Sequence, residues 1–156
     1  MARLSLESPL DVRLLDKGLS VGEALAAFNA AYREAGGIVS FTGKVRDDDG
    51  VKALELSHYE KLTLPGMRDL AREAQSRFAV DGLLAWHRVG AMHPGDAIVL
   101  VAAAAPHRRA AFEAADYLMD HLKSAAWFWK RERRADGWHW IEPRPEDYAA
   151  LERWLV

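Results

Sequence analysis

The stretch PHRRAAFEAADYLMDHLKSAAWFWKRERR, residues 106–134, limits the folds open to this chain more than any other. Phe112, Ala115, Leu118, Met119 and Leu122 recur at three- and four-residue spacing, which predicts a helix from His107 to about Ser124 with one buried face. Such a face has to be covered by another element. Asp96 to Ala104 before it and Trp127 to Arg133 after it read as strands. The same helix begins with His107, Arg108 and Arg109, cations at the positive end of its dipole. That placement is unfavourable by roughly 0.3–1 kcal/mol each. Free backbone N–H groups at a helix start favour an anion as well. Two readings follow: the cations grip a phosphate or carboxylate, or they are solvated and paired with acids elsewhere.

The remaining pattern fits around this helix. Arg3 to Leu15 gives one or two short strands broken near Pro9, and Ser20 with Glu23 forms a capping-box pattern opening a helix to about Arg33, with Val21, Leu25 and Phe28 on one side. Ile38 to Arg46 and Val51 to Tyr59 read as strands of a hairpin joined by the DDDG turn at 47–50. A second helix is expected from about Gly66 to Phe78, with Met67, Leu70, Ala74 and Phe78 on its apolar side. Leu83 to Val89 and Asp96 to Ala104 are two more strands, joined by a turn at His93-Pro94-Gly95. A last hairpin, Trp127 to Arg133 and Trp138 to Glu142, turns at Asp136-Gly137, and Glu146 to Leu155 closes with a short helix. Strands and helices alternating in blocks, with hairpins rather than regular βαβ units, predict an α+β fold with three to four helices in one domain over 1–156.

Composition narrows function. A formal net charge of -2 argues against generic nucleic-acid binding. Between His107 and Arg134, however, seven Lys/Arg face four Asp/Glu, a local excess that suggests a site. The absence of cysteine excludes disulfides, thiolate metal sites and cysteine nucleophiles. No apolar run reaches signal-peptide or membrane-span length, so a cytoplasmic, membrane-free protein is expected. His58, His87 and His93 lack metal-ligand spacing, and His87 beside Arg88 reads as structural, so no metal is expected. No Ser–His–acid set, P-loop or dinucleotide glycine pattern occurs.

Two lysines remain. Lys123 near the helix end is a routine complement to the dipole, or part of a site. Lys130 follows Trp127, Phe128 and Trp129; on a strand it shares a face with Phe128, while the two tryptophans take the other. Aromatic neighbours can strip water from a lysine and lower its pKa, as in catalytic lysines, or leave it as an ordinary edge-strand cation. Arg46 before the acidic turn is either a ligand-binding cation or the partner of Asp47, Asp48 or Asp49. These residues describe an anion-binding α+β domain with two candidate lysines and do not name a reaction.

The ordered blocks FTGKVR (41–46), HRVGAMHPGD (87–96), PHRRAAFEAADYLMDHLK (106–123) and FWKRE (128–132), with the ending DGWHWIE, resemble the MoaE family, the large catalytic subunits of molybdopterin synthase. The resemblance implies an α/β hammerhead-like fold and a sulfurtransferase activity. Two sulfurs pass from the C-terminal thiocarboxylate of a small ubiquitin-like, MoaD-like subunit to cyclic pyranopterin monophosphate, forming the molybdopterin dithiolene. It implies a homodimer of large subunits within a heterotetramer, with no cofactor. By the family's pattern Lys123 and Lys130 are catalytic, Arg46, His107 and Arg108 bind substrate, Phe41 and Met119 line the pocket, and Arg144 adds a further cation. A chain without cysteine cannot carry sulfur as a persulfide, which suits a sulfur-bearing partner.

The sequence departs from the family in one place that bears on Lys130: Trp127 stands where members commonly carry a proline, implying a different entry into the lysine strand. The rival reading is a non-catalytic module that holds a phosphorylated ligand or a partner's C-terminal tail. Retention of both lysines argues against it. At about 1.5 Å per residue the long helix keeps its two ends apart. A pocket using His107 and Arg108 together with Lys123 and Lys130 therefore implies the helix start of one protomer and the helix end of another.

Overall fold

A computed structural model of the chain describes residues 9–47, 50–124 and 127–155. The α+β expectation holds, with eight strands and four helices among the described residues. The first sheet has the order β1-β4-β6-β2: β1 (Leu10–Leu15), β4 (Gly82–Arg88), β6 (Ala97–Ala105) and β2 (Gly37–Lys44). β1 runs parallel to β4, so the sheet is mixed and not built from antiparallel hairpins alone. The two central strands explain its sequence. β4 is buried along its whole length and β6 from Val99 to Ala105, which is why both read as apolar runs rather than alternating ones.

Each face of this sheet has its own core. On one side Leu83, Ala85, Val101 and Ala103 pack with Met67, Leu70 and Ala74 of α2 (Thr63–Arg77) and Ala111, Ala114 and Leu118 of α3 (Arg108–Ser124). On the other, Leu84, Trp86, Leu100 and Ala102 meet Ala24 and Phe28 of α1 (Val21–Ala31). Side chains at successive positions of β4 and β6 alternate between the two cores, as strand geometry requires.

The second sheet has the order β5-β3-β7-β8: β5 (Gly90–Met92), β3 (Ala53–His58), β7 (Phe128–Arg134) and β8 (Gly137–Ile141). Here a sequence expectation fails. β2 and β3 are not a hairpin: β2 pairs antiparallel with β6, and β3 pairs with β5 and β7. A register shift at Gly43/Lys44 releases the chain from the first sheet, and Val45 then exchanges backbone hydrogen bonds with Asp96 and Gly95 at 2.9 Å. Val45 ends in a small core with Leu54, Leu56 and Met92. β5 lies between the expected strand end at Val89 and the turn at His93, where no element is expected, because a three-residue strand carries too little periodicity. Gly90, at φ +90°, redirects the chain from one sheet to the other.

Smaller differences have equally local causes. Ser20 precedes α1, but its side chain makes no capping hydrogen bond, so the Ser20–Glu23 box does not form; only the Ser20 carbonyl engages, accepting from Ala24 N–H at 3.1 Å. α2 starts three residues before Gly66, because buried Thr63 anchors it: its hydroxyl donates to the Trp127 carbonyl (2.7 Å) and accepts from the Tyr59 N–H (3.0 Å). Phe112, expected in the core, is 57% exposed; Ala111 and Ala114 face the sheet in its place. The last segment divides into α4 (Pro145–Ala150) and a 3₁₀ turn, Leu151–Trp154. The expected strand before Pro9 and the middle of the DDDG turn lie outside the described residues.

Candidate functional site

Where the inner face of the second sheet meets the end of α3 and the start of α4, the chain encloses a cavity of about 340 Å³. Its floor is apolar, with Val45, Leu54, Leu56, Leu122 and Phe128, and its walls are charged. Lys44, Arg46, Lys123, Lys130, Arg134 and Arg144 line it against the carboxylates Glu132, Glu142 and Asp147. Six cations against three acids leave the cavity positive, suited to an anionic ligand.

Each lysine arrives by a different element. Lys123 stands on the last turn of α3, one residue after buried Leu122. Lys130 stands on β7, which runs between β3 and β8, and Lys130 pairs with Leu56 on one side and Ile141 on the other. With period-two alternation, Phe128, Lys130, Glu132 and Arg134 share the face turned to the cavity. Trp129 also reaches the cavity rim, and its ring meets Tyr59 at 4.6 Å between centroids. Trp127 precedes β7 and packs against the first core, with Gly66 of α2 beneath its indole. A Cβ on Gly66 would come within 2.5 Å of that ring.

Loss of hydration lowers the pKa of both lysines. For Lys123 the next cause is the charge of Lys130, with Asp147 opposing; for Lys130, Asp147 and Glu132 oppose and Arg144 and Arg46 add. The Lys123 side chain as a whole remains exposed, so its perturbation arises from the concave wall around its ammonium. Lysines with weakened proton affinity next to an anion-binding wall can exchange protons as well as hold charge.

Asp147 holds the cavity's outer wall in place. It accepts from Arg144 N–H (3.1 Å) in the capping box of α4, and its carbonyl accepts from the Ser124 hydroxyl (2.8 Å) at the end of α3. Further on, Trp154 Nε1 donates to Asp120 (2.7 Å), and Arg153 pairs with Asp116 and Asp120. The Trp154 ring packs edge-on to Phe78 and Tyr117. The terminal segment carrying Arg144 is thus fastened to α3 at three points.

Of the residues singled out in the sequence, the structure brings Arg46, Lys123, Lys130 and Arg144 into this one cavity. No ion pair ties Arg46 to Asp47 among the described residues, and Arg46 is exposed. His107 and Arg108 lie at the opposite end of α3, about 25 Å away along 17 residues of helix. Phe41, on edge strand β2, is 46% exposed, and Met119 packs half-buried against the first core; neither lines the cavity. The residue that sequence reasoning underrated is His87. It is buried at the cavity floor and stacks on Phe128 at 4.0 Å and 20°. Its neighbour Arg88 gave no sign of this; only alternation along a strand buried on both faces would have turned His87 toward α3.

A family model described as MoaE protein matches residues 14–125. A molybdopterin synthase catalytic subunit from Caulobacter vibrioides is 45% identical over 144 residues, spanning 92% of this chain and 96% of that relative. The solved molybdopterin biosynthesis MoaE protein from Burkholderia ambifaria MC40-6 matches with a TM-score of 0.77 and 38% identity, covering 93% of this chain and 98% of its own. The complex of subunits 1 and 2 of molybdopterin-converting factor from Helicobacter pylori shares the fold at 21% identity, with a TM-score of 0.73 over 85% of this chain and 91% of its own.

Proposed function

The chain belongs to the MoaE family, and from that premise we propose how its two-lysine cavity performs the sulfur transfer of a molybdopterin synthase catalytic subunit. The observation that carries the reading is the meeting of Lys123 and Lys130, both with lowered pKa, at one positive cavity. The sulfur donor is the thiocarboxylate at the C-terminus of a small ubiquitin-like subunit, and the acceptor is cyclic pyranopterin monophosphate. A cavity of about 340 Å³ with an apolar floor suits a narrow peptide tail next to a flat heterocycle.

In this scheme Lys130 stabilises developing negative charge, or moves a proton, as the thiocarboxylate sulfur attacks the pterin side chain. Lys123 orients the incoming carboxyl terminus and exchanges protons with it. Arg46 and Arg144 complete the anion-binding wall. Phe41, Met119, His107 and Arg108 belong to the substrate site in this reading, although they do not line the cavity of their own chain. Their place is met by a homodimer in which the α3 start of one protomer faces the α3 end of its partner. The reaction is assigned to the cytoplasm; among the described residues no helix is long and apolar enough to cross a membrane.

The test is turnover of separate Lys123→Ala and Lys130→Ala proteins with thiocarboxylated small subunit and the pterin precursor. A loss of roughly 10²–10⁴-fold in each is expected for groups that move protons or hold charge in the transition state. Near-normal dithiolene formation in both would overturn the assignment.

A further inference from the structure

His87 lines the same cavity as the two lysines, whose charges reach its ring, and its hydrogen bonding fixes what it presents to them. Nδ1 lies 2.8 Å from the Arg88 carbonyl oxygen. A carbonyl oxygen only accepts, so Nδ1 carries the proton, and in a neutral ring Nε2 is then a bare lone pair. The ring is clamped: His87 pairs with Val99 across the sheet, and its flat face lies on Phe128. With Nδ1 committed, Nε2 is the ring atom left to meet the cavity that His87 lines.

The setting keeps this ring uncharged. Burial, with the charges of Lys123 and Lys130, lowers its pKa to about 4, and Lys123 acts on it more strongly than Lys130. The cavity wall therefore holds cations, carboxylates and one neutral, rigid acceptor. A carboxylate in the same position would bind an ammonium tightly and raise its pKa, whereas a neutral lone pair directs an N–H without removing the lysine's ability to lose a proton.

We propose that His87 is a positioning residue for Lys123: its Nε2 accepts one N–H of the Lys123 ammonium when the cavity is filled, which aims the remaining protons at the thiocarboxylate and pterin. The inference rests on the two-lysine reading above. It gives that reading a neutral partner for Lys123 beside the charged Asp147, on a lysine whose helix end is exposed.

Two substitutions separate this role from packing. His87→Phe keeps a flat ring on Phe128 and removes the lone pair, while His87→Gln loses the ring and returns an acceptor near the position of Nε2. If His87 orients Lys123, the Phe variant loses about 10–100-fold in kcat, up to the cost of a misplaced catalytic group, with KM for the thiocarboxylated partner little changed. The Gln variant recovers part of that loss. If the ring matters only for stacking, the Phe variant matches the parent protein and the Gln variant is the worse of the two, which overturns the proposal.

Nitrogen-15 NMR of the histidine-labelled, unsubstituted protein needs neither variant to fold. A protonated Nδ1 with a pyridine-like Nε2 that shifts on addition of the thiocarboxylated small subunit supports the proposal. A protonated Nε2, or an Nε2 signal unmoved by that partner, overturns it. Failure of the family reading would appear separately, as absent turnover in the unsubstituted protein.

Discussion

A histidine held neutral beside two lysines makes stability depend on pH in a calculable direction. The pKa of His87 falls from 6.5 to about 4 in the folded state, through burial first and the lysines second. Between those values the unfolded chain binds the extra proton and the folded one does not, so stability is full above pH 6.5 and declines as pH drops toward 4. The shift corresponds to roughly 3 kcal/mol. Urea unfolding at pH 7 and pH 4.5 should show a smaller acid-side loss for His87→Phe than for the unsubstituted protein; equal losses would refute the buried neutral ring. For the lysines the direction is related but the window is alkaline. Their folded pKa values lie below the ordinary lysine value, so the charged forms weaken the fold at lower pH, and the penalty lifts as pH rises from the lowered pKa to the ordinary one. Lys130→Met should therefore raise the thermal midpoint by a few degrees while abolishing turnover, a stability–activity opposition common at strained sites. Calorimetry of the variant checks this. Lys130 and Arg46 stood out in the sequence because charge next to aromatic or turn residues is conspicuous, whereas Lys123 gained its role from the family resemblance. His87 did not, because its importance depends on which core each side of β4 faces.

At the scale of elements, the helices were legible through their periodicity and the strand partners were not. Alternation marks a strand but carries no address for its neighbour, so the two strands flanking the acidic turn looked like a hairpin and belong to different sheets. Phe112 shows the limit from the other side. A large apolar residue at helical spacing suggests core, yet alanines fill the face of α3 against the alanine-rich β6, where a phenylalanine would not fit. The tryptophan in the family's proline position has a physical counterpart on α2. Gly66 leaves room for its ring, so Gly66→Ala should destabilise by about 1–3 kcal/mol through overpacking. Adding Trp127→Ala should relieve most of that specific cost, a coupling visible in a double-mutant cycle. Additive losses would show that the indole and Gly66 act independently.

For the whole molecule, the separation of the two ends of α3 yields a prediction about sharing. Mixing inactive Arg108→Ala protein with inactive Lys123→Ala protein should restore about a quarter of normal activity if each site draws on two protomers. Half of randomly exchanged twofold dimers are mixed, and one of the two sites in each is intact. No recovery after verified subunit exchange would place all the groups of a site in one chain. The cavity also imposes an order on assembly. Every strand of the first sheet and the three helices that cover it lie at or before Ser124 in the chain. β7, flanked by β3 and β8, cannot be paired on both sides until Ile141 follows. A released chain ending at Ser124 should resist protease across the first sheet yet fail to bind the small subunit. As the chain emerges the scaffold is thus available before the reactive pocket, and a chain that ends short of β8 is kept from engaging a sulfur donor it could not use.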